Sequence, residues 1–141
     1  MGLDNGVIIA SKTKEFRDKI PKKWIRWSYD NGAEEFPDHP FRTEIMYWRK
    51  CWGLRDLILR NCFPNYDKDQ YYFVFDREKL TILYDVIVAC LECPADWDNM
   101  RSIWTWDEIK STMLDARQTC AWLIDQVVDK EDVIIYFYDS Y

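Results

Sequence analysis

Carboxylates at short spacing are the first place to look for chemistry in this chain, because paired acids can relay a proton or hold a hard cation. Three pairs occur: Glu34-Glu35, Asp96 with Asp98, and Asp107-Glu108. The first two fall in segments of loop composition. The third opens a helix, where acids favour the helix dipole. Each reads most simply as a surface feature, with Asp96 and Asp98 leaving open a divalent cation bound by alternate loop carboxylates. Cys90 and Cys93 form a lone CxxC without a second, and His39 is the one histidine. A structural zinc site needs four such ligands, and Cys90 falls on the apolar stripe of a helix, where a free thiol packs as a small hydrophobe. His39 sits between Asp38 and Pro40 with no serine elbow to serve. Four glycines supply neither a GxGxxG nor a GxxxxGK[ST] phosphate cradle. The residues therefore predict no cofactor, no bound metal and no catalytic set.

Binding chemistry is better represented. Glu44, Tyr47, Arg49, Trp52 and Arg55 crowd the stretch around TEIMYWRKCW, and the segment Cys93–Trp106 holds Trp97, Trp104 and Trp106 beside Asp and Arg. Aromatics next to cations in a loop have the composition of a binding hot spot. The alternative is that they plug the ends of neighbouring helices. Spacing predicts a helix from about Glu44 to Asn61, with Thr43 as its N-cap and Pro64 beyond its end. On it Tyr47, Cys51, Leu54 and Ile58 share one side and Ile45, Trp48, Trp52 and Leu59 another, so the helix is central. Glu44 and Arg55 then project between the apolar arcs, roughly 16 Å apart along the axis, and each needs a partner from another element. Asp4, just ahead of the first strand, is the expected partner of Arg49 or Arg55. Such a cluster is either a fold-fixing ion pair or the polar lining of a ligand pocket.

The elements that must position these residues follow from pattern. Val7–Ala10 and Trp24–Ser28 read as short strands, with Trp24 and Trp27 on opposite sides. Asp30–Pro40 reads as a loop through the Asn31-Gly32 turn and two prolines. Tyr71–Phe75 is a strand by composition. Asp76 caps a second helix carrying Leu80, Leu83, Ile87 and Cys90 at three-four spacing. Thr105 and Glu108 form a capping box, ahead of a third helix with Ile109, Met113, Ala116, Cys120, Leu123 and Val127 inward. Val133–Tyr138 closes the chain as a buried strand, held inside the sheet because such a run at an edge invites aggregation. This is one α+β domain spanning residues 1–141: a mainly antiparallel sheet of about four strands with three helices packed on one face.

Bulk composition narrows the function classes. The 141 residues include eight tryptophans, nine tyrosines and seven phenylalanines, enough rigid area to fold without disulfides. Five cysteines, an odd count, suit a reducing compartment. The net charge of −6 is uneven: Lys12 to Arg26 is basic and the stretch from Asp107 onward is acidic. That balance argues against nucleic acid and favours steering toward a basic partner surface. The longest apolar runs, Val86–Leu91 and Val133–Tyr138, fall far short of the roughly 20 residues that span a bilayer. No export signal is read at the start, and a myristoylation motif fails at position 6, which is glycine. The reading is a cytoplasmic protein with no membrane partner.

GLD at Gly2–Asp4, YWRK at Tyr47–Lys50, YYFVFDREKL at Tyr71–Leu80 and YDSY at Tyr138–Tyr141 occur in that order. In this combination the chain resembles a group of small proteins encoded by bacteriophages and prophages. That group begins M-G-L-D-M-Y-L, carries Y-W-R-K-A-N-x-I-H-x-W-F on its first long helix and ends near Y-x-S-S-W. The resemblance spans almost the whole chain through short motifs. It implies a phage accessory product made inside a bacterium, with no assigned activity to carry over. Where the group has Asn and His after Y-W-R-K, this chain has Trp52 and Arg55, which points to changed packing or a changed binding face. Two functions are therefore expected. One is non-enzymatic binding to a bacterial host protein, such as a component of host defence. The other is a small, nucleotide-like ligand held between Trp or Tyr rings and Arg49 or Arg55. An enzyme would need Asp4, Glu44 and a tyrosine to converge in a cleft. Self-association is left open.

Overall fold

The computed structural model describes residues 3–30 and 35–141. The expected Asn31-Gly32 turn, and Glu34 of the first acid pair, lie outside the described residues. The chain is α+β, with five antiparallel strands: β1 (Asp4–Ser11), β2 (Trp27–Tyr29), β3 (Phe41–Arg49), β4 (Tyr72–Val74) and β5 (Val133–Ser140). They lie in the order β2-β3-β1-β5-β4, so β1 and β5 are interior and the short β2 and β4 form the edges. Three-residue edges present little backbone for pairing with another chain, and Gln70 Nε2 already donates to the Tyr72 carbonyl on β4 (2.7 Å).

One sheet face carries the helices. Val7, Ile9, Trp48, Phe73, Ile135 and Phe137 pack there against α2 (Trp52–Cys62), α3 (Arg77–Glu92) and α4 (Trp106–Trp122). A five-residue helix α1 (Lys14–Asp18) and a 3₁₀ turn at Lys22–Trp24 link β1 to β2. Asp76 and Thr105 cap α3 and α4 as their spacing predicts, accepting from the Lys79 and Glu108 amides. Beyond Trp122, α4 widens into one π-helical turn, Leu123–Val127. The other face has a small cluster of Ile8, Ala10 and Tyr136, with Trp27, Phe36 and Tyr138 against it and, among the described residues, none from a helix. No helix among the described residues is long and apolar enough to cross a membrane.

Two expectations are overturned. TEIMYWRKCW is not a helix: Phe41–Arg49 is strand β3, and α2 starts only at Trp52. The reason is a bulge. Val7 pairs with Met46 and Ile8 with Glu44, leaving Ile45 as an extra residue. Ile45 and Met46 both join the helix-side core, as a bulge allows. The two-residue alternation Arg42, Glu44, Tyr47, Arg49 out and Thr43, Ile45/Met46, Trp48 in is thus broken once, which imitates helical spacing. Thr43 caps nothing; Cys51 is the N-cap and makes no side-chain cap. The second correction is Trp24, which leaves the predicted strand for the 3₁₀ turn and packs on Trp122 at 5.4 Å, while Trp27 begins β2.

Candidate functional site

Asp4, Glu44 and Tyr47 meet on the helix-free face. Strand alternation puts Gly6 of β1 between Tyr47 of β3 and Tyr138 of β5. With no side chain on Gly6, the Tyr138 hydroxyl crosses β1 and donates to Glu44 Oε2. A Cβ at Gly6 would lie 2.6 Å from the Tyr138 ring and 2.9 Å from Glu44 Oε2, so the glycine is what lets the two meet. Arg26 Nε donates to Glu44 Oε1 at 3.1 Å, and its guanidinium sits 4.2 Å from the Tyr47 ring centroid. Tyr47 in turn donates to Asp4 Oδ1 at 2.5 Å. Burial raises the Glu44 carboxyl above its ordinary range, against the opposing pull of Tyr138 and Arg26. Tyr47 is pushed up to about 12, by burial and then by Asp4. Tyr138 is raised by burial and by Glu44. Both tyrosines therefore stay protonated and donate into the carboxylates. Asp4, Glu44 and a tyrosine do converge, as a closed network across three strands.

Asp4 is not the partner of Arg55. It points to the helix-free face, and α2 lies on the other. Asp139, next to Asn5 in register, faces α2 and takes Arg55 in a bidentate pair, Nε–Oδ1 2.8 Å and Nη2–Oδ2 2.7 Å. Asn5 Nδ2 completes the carboxylate at 2.7 Å, and the Asp139 side chain is 2% exposed. Tyr141 covers the guanidinium at 5.0 Å. The sequence reading missed Asp139, although continuing the β5 alternation two residues past Phe137 finds it.

A tight corner joins β3 to α2. Lys50 (φ 53°) and Arg101 (φ 51°) both adopt the left-handed conformation that non-glycine residues rarely hold. The segment 100–104 docks on this corner through backbone bonds: Gly53 N–H to the Met100 carbonyl (2.7 Å) and Ile103 N–H to the Lys50 carbonyl (3.3 Å). The first satisfies an orphan amide at the N-terminus of α2 that no side chain caps. A Cβ on Gly53 would lie 2.6 Å from Met100 Cα, so close backbone approach requires glycine here. The three loop tryptophans divide. Trp97 is buried, donates to the Trp104 carbonyl (2.9 Å) and packs on Trp106 at 5.8 Å, plugging the helix ends. Trp104 stays on the surface, its indole N–H held by the Arg49 carbonyl at 3.1 Å.

The corner thus gathers exposed Trp52, Ile103, Trp104 and Tyr141 around Arg49, Lys50 and Arg101. Trp52 meets Tyr141 edge-on at 6.5 Å, and Arg101 pairs with Asp56 at 2.5 Å. Among the described residues Arg49 and Lys50 make no ion pair. Of the nine predicted binding residues, Arg49, Trp52, Arg55 and Trp104 come together here. Asp4, Glu44 and Tyr47 form the separate network, while Trp97 is buried and Trp106 half-buried against it. Cys90 is buried and Cys93 exposed. Among the described residues no three His, Cys, Asp or Glu side chains converge on a metal-sized site, Asp96 and Asp98 included. No protein-family model, curated protein or solved structure matches the chain.

Proposed function

We propose that this is a phage-type accessory protein that acts in the bacterial cytoplasm by binding a host protein, without catalysis, through the β3–α2 corner. The observation that carries the reading is the cluster of exposed Trp52, Ile103, Trp104 and Tyr141 around the cations Arg49 and Lys50, which make no ion pair among the described residues. Exposed aromatics beside arginine are the residue types that dominate binding energy at interfaces. The corner is fixed by backbone hydrogen bonds on both sides, so little ordering entropy is lost on docking. Its local charge is positive in a chain of net charge −6. This reverses the expectation of a basic partner surface: the partner presents carboxylates to Arg49 and Lys50 and an apolar pocket to the rings. The sequence resemblance to phage proteins supports a host protein as that partner, a defence component being the sharper form of the proposal.

The experiment is affinity capture from bacterial lysate, followed by reconstitution with the purified partner and calorimetry. Arg49→Glu and Trp52→Ala both change surface side chains and leave the corner backbone intact. Each should weaken the reconstituted complex by about tenfold or more, the 1.4 kcal/mol expected of a hot-spot residue, with an unchanged circular dichroism spectrum. Full affinity in both variants overturns the assignment to this corner. Size-exclusion chromatography of the free protein separates this from self-association through the same surface.

A further inference from the structure

The helical layer carries a groove between α2 and α3, closed at one end by the 3₁₀ turn Pro94–Asn99. Its volume is ≈ 460 Å³, and its floor is Leu57 of α2, Ile82, Val86 and Ala89 of α3, and Met100. Ile82, Val86 and Ala89 stand at i, i+4 and i+7, which is one face of a helix. That face lies beside the stripe of Leu83, Ile87 and Cys90 that α3 buries in the core. Leu57, Ile82 and Met100 are half-buried and pack against that core from outside. Ala89 is exposed, and its single methyl leaves room that a larger side chain would fill.

The groove is long. Ile82 and Cys90 both line it on α3, and eight residues of helix set them about 12 Å apart along the axis. An apolar channel of that length matches two turns of a helix laid along it better than one compact small molecule. An amphipathic helix seated in an apolar groove is a recurring mode of peptide recognition.

Its charges have one sign. Asp85 and Asp96 are the charged residues among those lining it. Both are exposed, and among the described residues neither makes an ion pair. The cations nearest in sequence are engaged elsewhere. Arg60 Nε turns back to the Asp56 carbonyl at 3.5 Å, Arg101 pairs with the Asp56 carboxylate, and Lys79 pairs with Asp76 at 3.2 Å. An apolar floor under two carboxylates is complementary to apolar side chains flanked by cations. The same carboxylates repel nucleic acid and the anionic lipids of a membrane surface, so the occupant is a protein helix.

We propose that the α2–α3 groove receives an amphipathic helix of a partner protein, its apolar stripe over Ala89 and flanking lysine or arginine side chains on Asp85 and Asp96. The groove adjoins the β3–α2 corner only at Met100 and carries the opposite charge, so the two surfaces take different segments.

The test is a ¹H–¹⁵N NMR titration of the full chain with a synthetic, end-capped peptide of about 14 residues, close to four helical turns, with leucine on one helical face and lysine on the other. Saturable shifts should appear at the Leu57, Ile82, Val86 and Ala89 amides and leave the Trp52 and Trp104 indoles unmoved. Replacing its lysines by glutamate sets like charges against Asp85 and Asp96 and should weaken binding about tenfold or more. A peptide of the same leucine and lysine content, alternated at strand spacing, should lose a similar factor. Neither comparison needs a variant. Ala89→Lys, a change to a good helix former at an exposed position, puts bulk and a cation into the groove and should also cost about tenfold at an unchanged circular dichroism spectrum. No saturable shift up to the solubility limit, equal affinity for the glutamate or the strand-spaced peptide, or undiminished affinity in Ala89→Lys would each overturn the proposal. So would concentration-dependent shifts of the same amides in the free protein, which would assign the groove to a second copy. Each outcome leaves the reading of the corner as a protein-binding surface to its own experiment.

Discussion

Replacing Arg55 by methionine tests the buried pair that joins α2 to β5. Methionine keeps the apolar stem that packs along the helix and removes the charge. Asp139, 2% exposed, would then retain the Asn5 amide at 2.7 Å and lose both guanidinium bonds. Removing one partner of a buried pair costs about 3–5 kcal/mol, because the other charge stays uncompensated. Arg55 itself is 13% exposed, so partial solvation places the expected loss near the lower end, about 3 kcal/mol. For a chain of this length that lowers the melting temperature by roughly 10 °C. Urea unfolding monitored by circular dichroism measures it directly, as a lower midpoint at unchanged slope. The decisive control is Asp139→Asn in the Arg55→Met background, which deletes the stranded charge and should recover half of the loss or more. A loss below about 1 kcal/mol for Arg55→Met, the worth of an exposed pair, would refute the reasoning. So would a double variant no more stable than the single one.

Glu44 predicts a pH dependence of defined sign. Its folded-state carboxyl is raised above the ordinary 4.5, chiefly by burial, so the native state holds this proton more tightly than the unfolded chain. The stability it contributes is fully present below that ordinary, unfolded-state value and is lost as pH rises through the higher folded value. Comparing urea midpoints of the natural protein and Glu44→Gln from pH 4 to 7, the variant should gain relative stability with rising pH, and the opposite trend would show that Tyr138 and Arg26 outweigh burial. Gly53→Ala forces a Cβ against Met100 Cα at 2.6 Å and should cost about 1–3 kcal/mol of overpacking. Hydrogen exchange should quicken at the residue 53 and Ile103 amides while Phe137 stays slow, and unchanged exchange at Ile103 would mean that the segment 100–104 is held by other contacts.

Local chemistry legible in the sequence determined most of the element boundaries. The Asp76 and Thr105 caps, the apolar stripes of α3 and α4, and the continuous apolar run of β5 each depend on residues within one or two turns of one another. Their periods survive folding because nothing interrupts them. The class, α+β with helices on one face of an antiparallel sheet, follows from their order. The exposed cations and aromatics that form the β3–α2 corner, Arg49, Trp52 and Trp104, were likewise visible as residue types.

Tertiary structure decided what those residues do. The bulge at Ile45 exists only because β3 pairs with β1 out of step with its own alternation, and without that pairing TEIMYWRKCW has the spacing of a helix. Partner choice was equally non-local. Asp4 and Asp139 lie at the same end of the sheet, and which of them reaches Arg55 depends on the face toward which each side chain points, set by register across three strands. Tyr138 finds Glu44, 94 residues away, through the gap that Gly6 leaves between them. Charge types, caps and periods are written in short stretches of the chain; which charge meets which across a sheet is fixed only when distant strands take up their register.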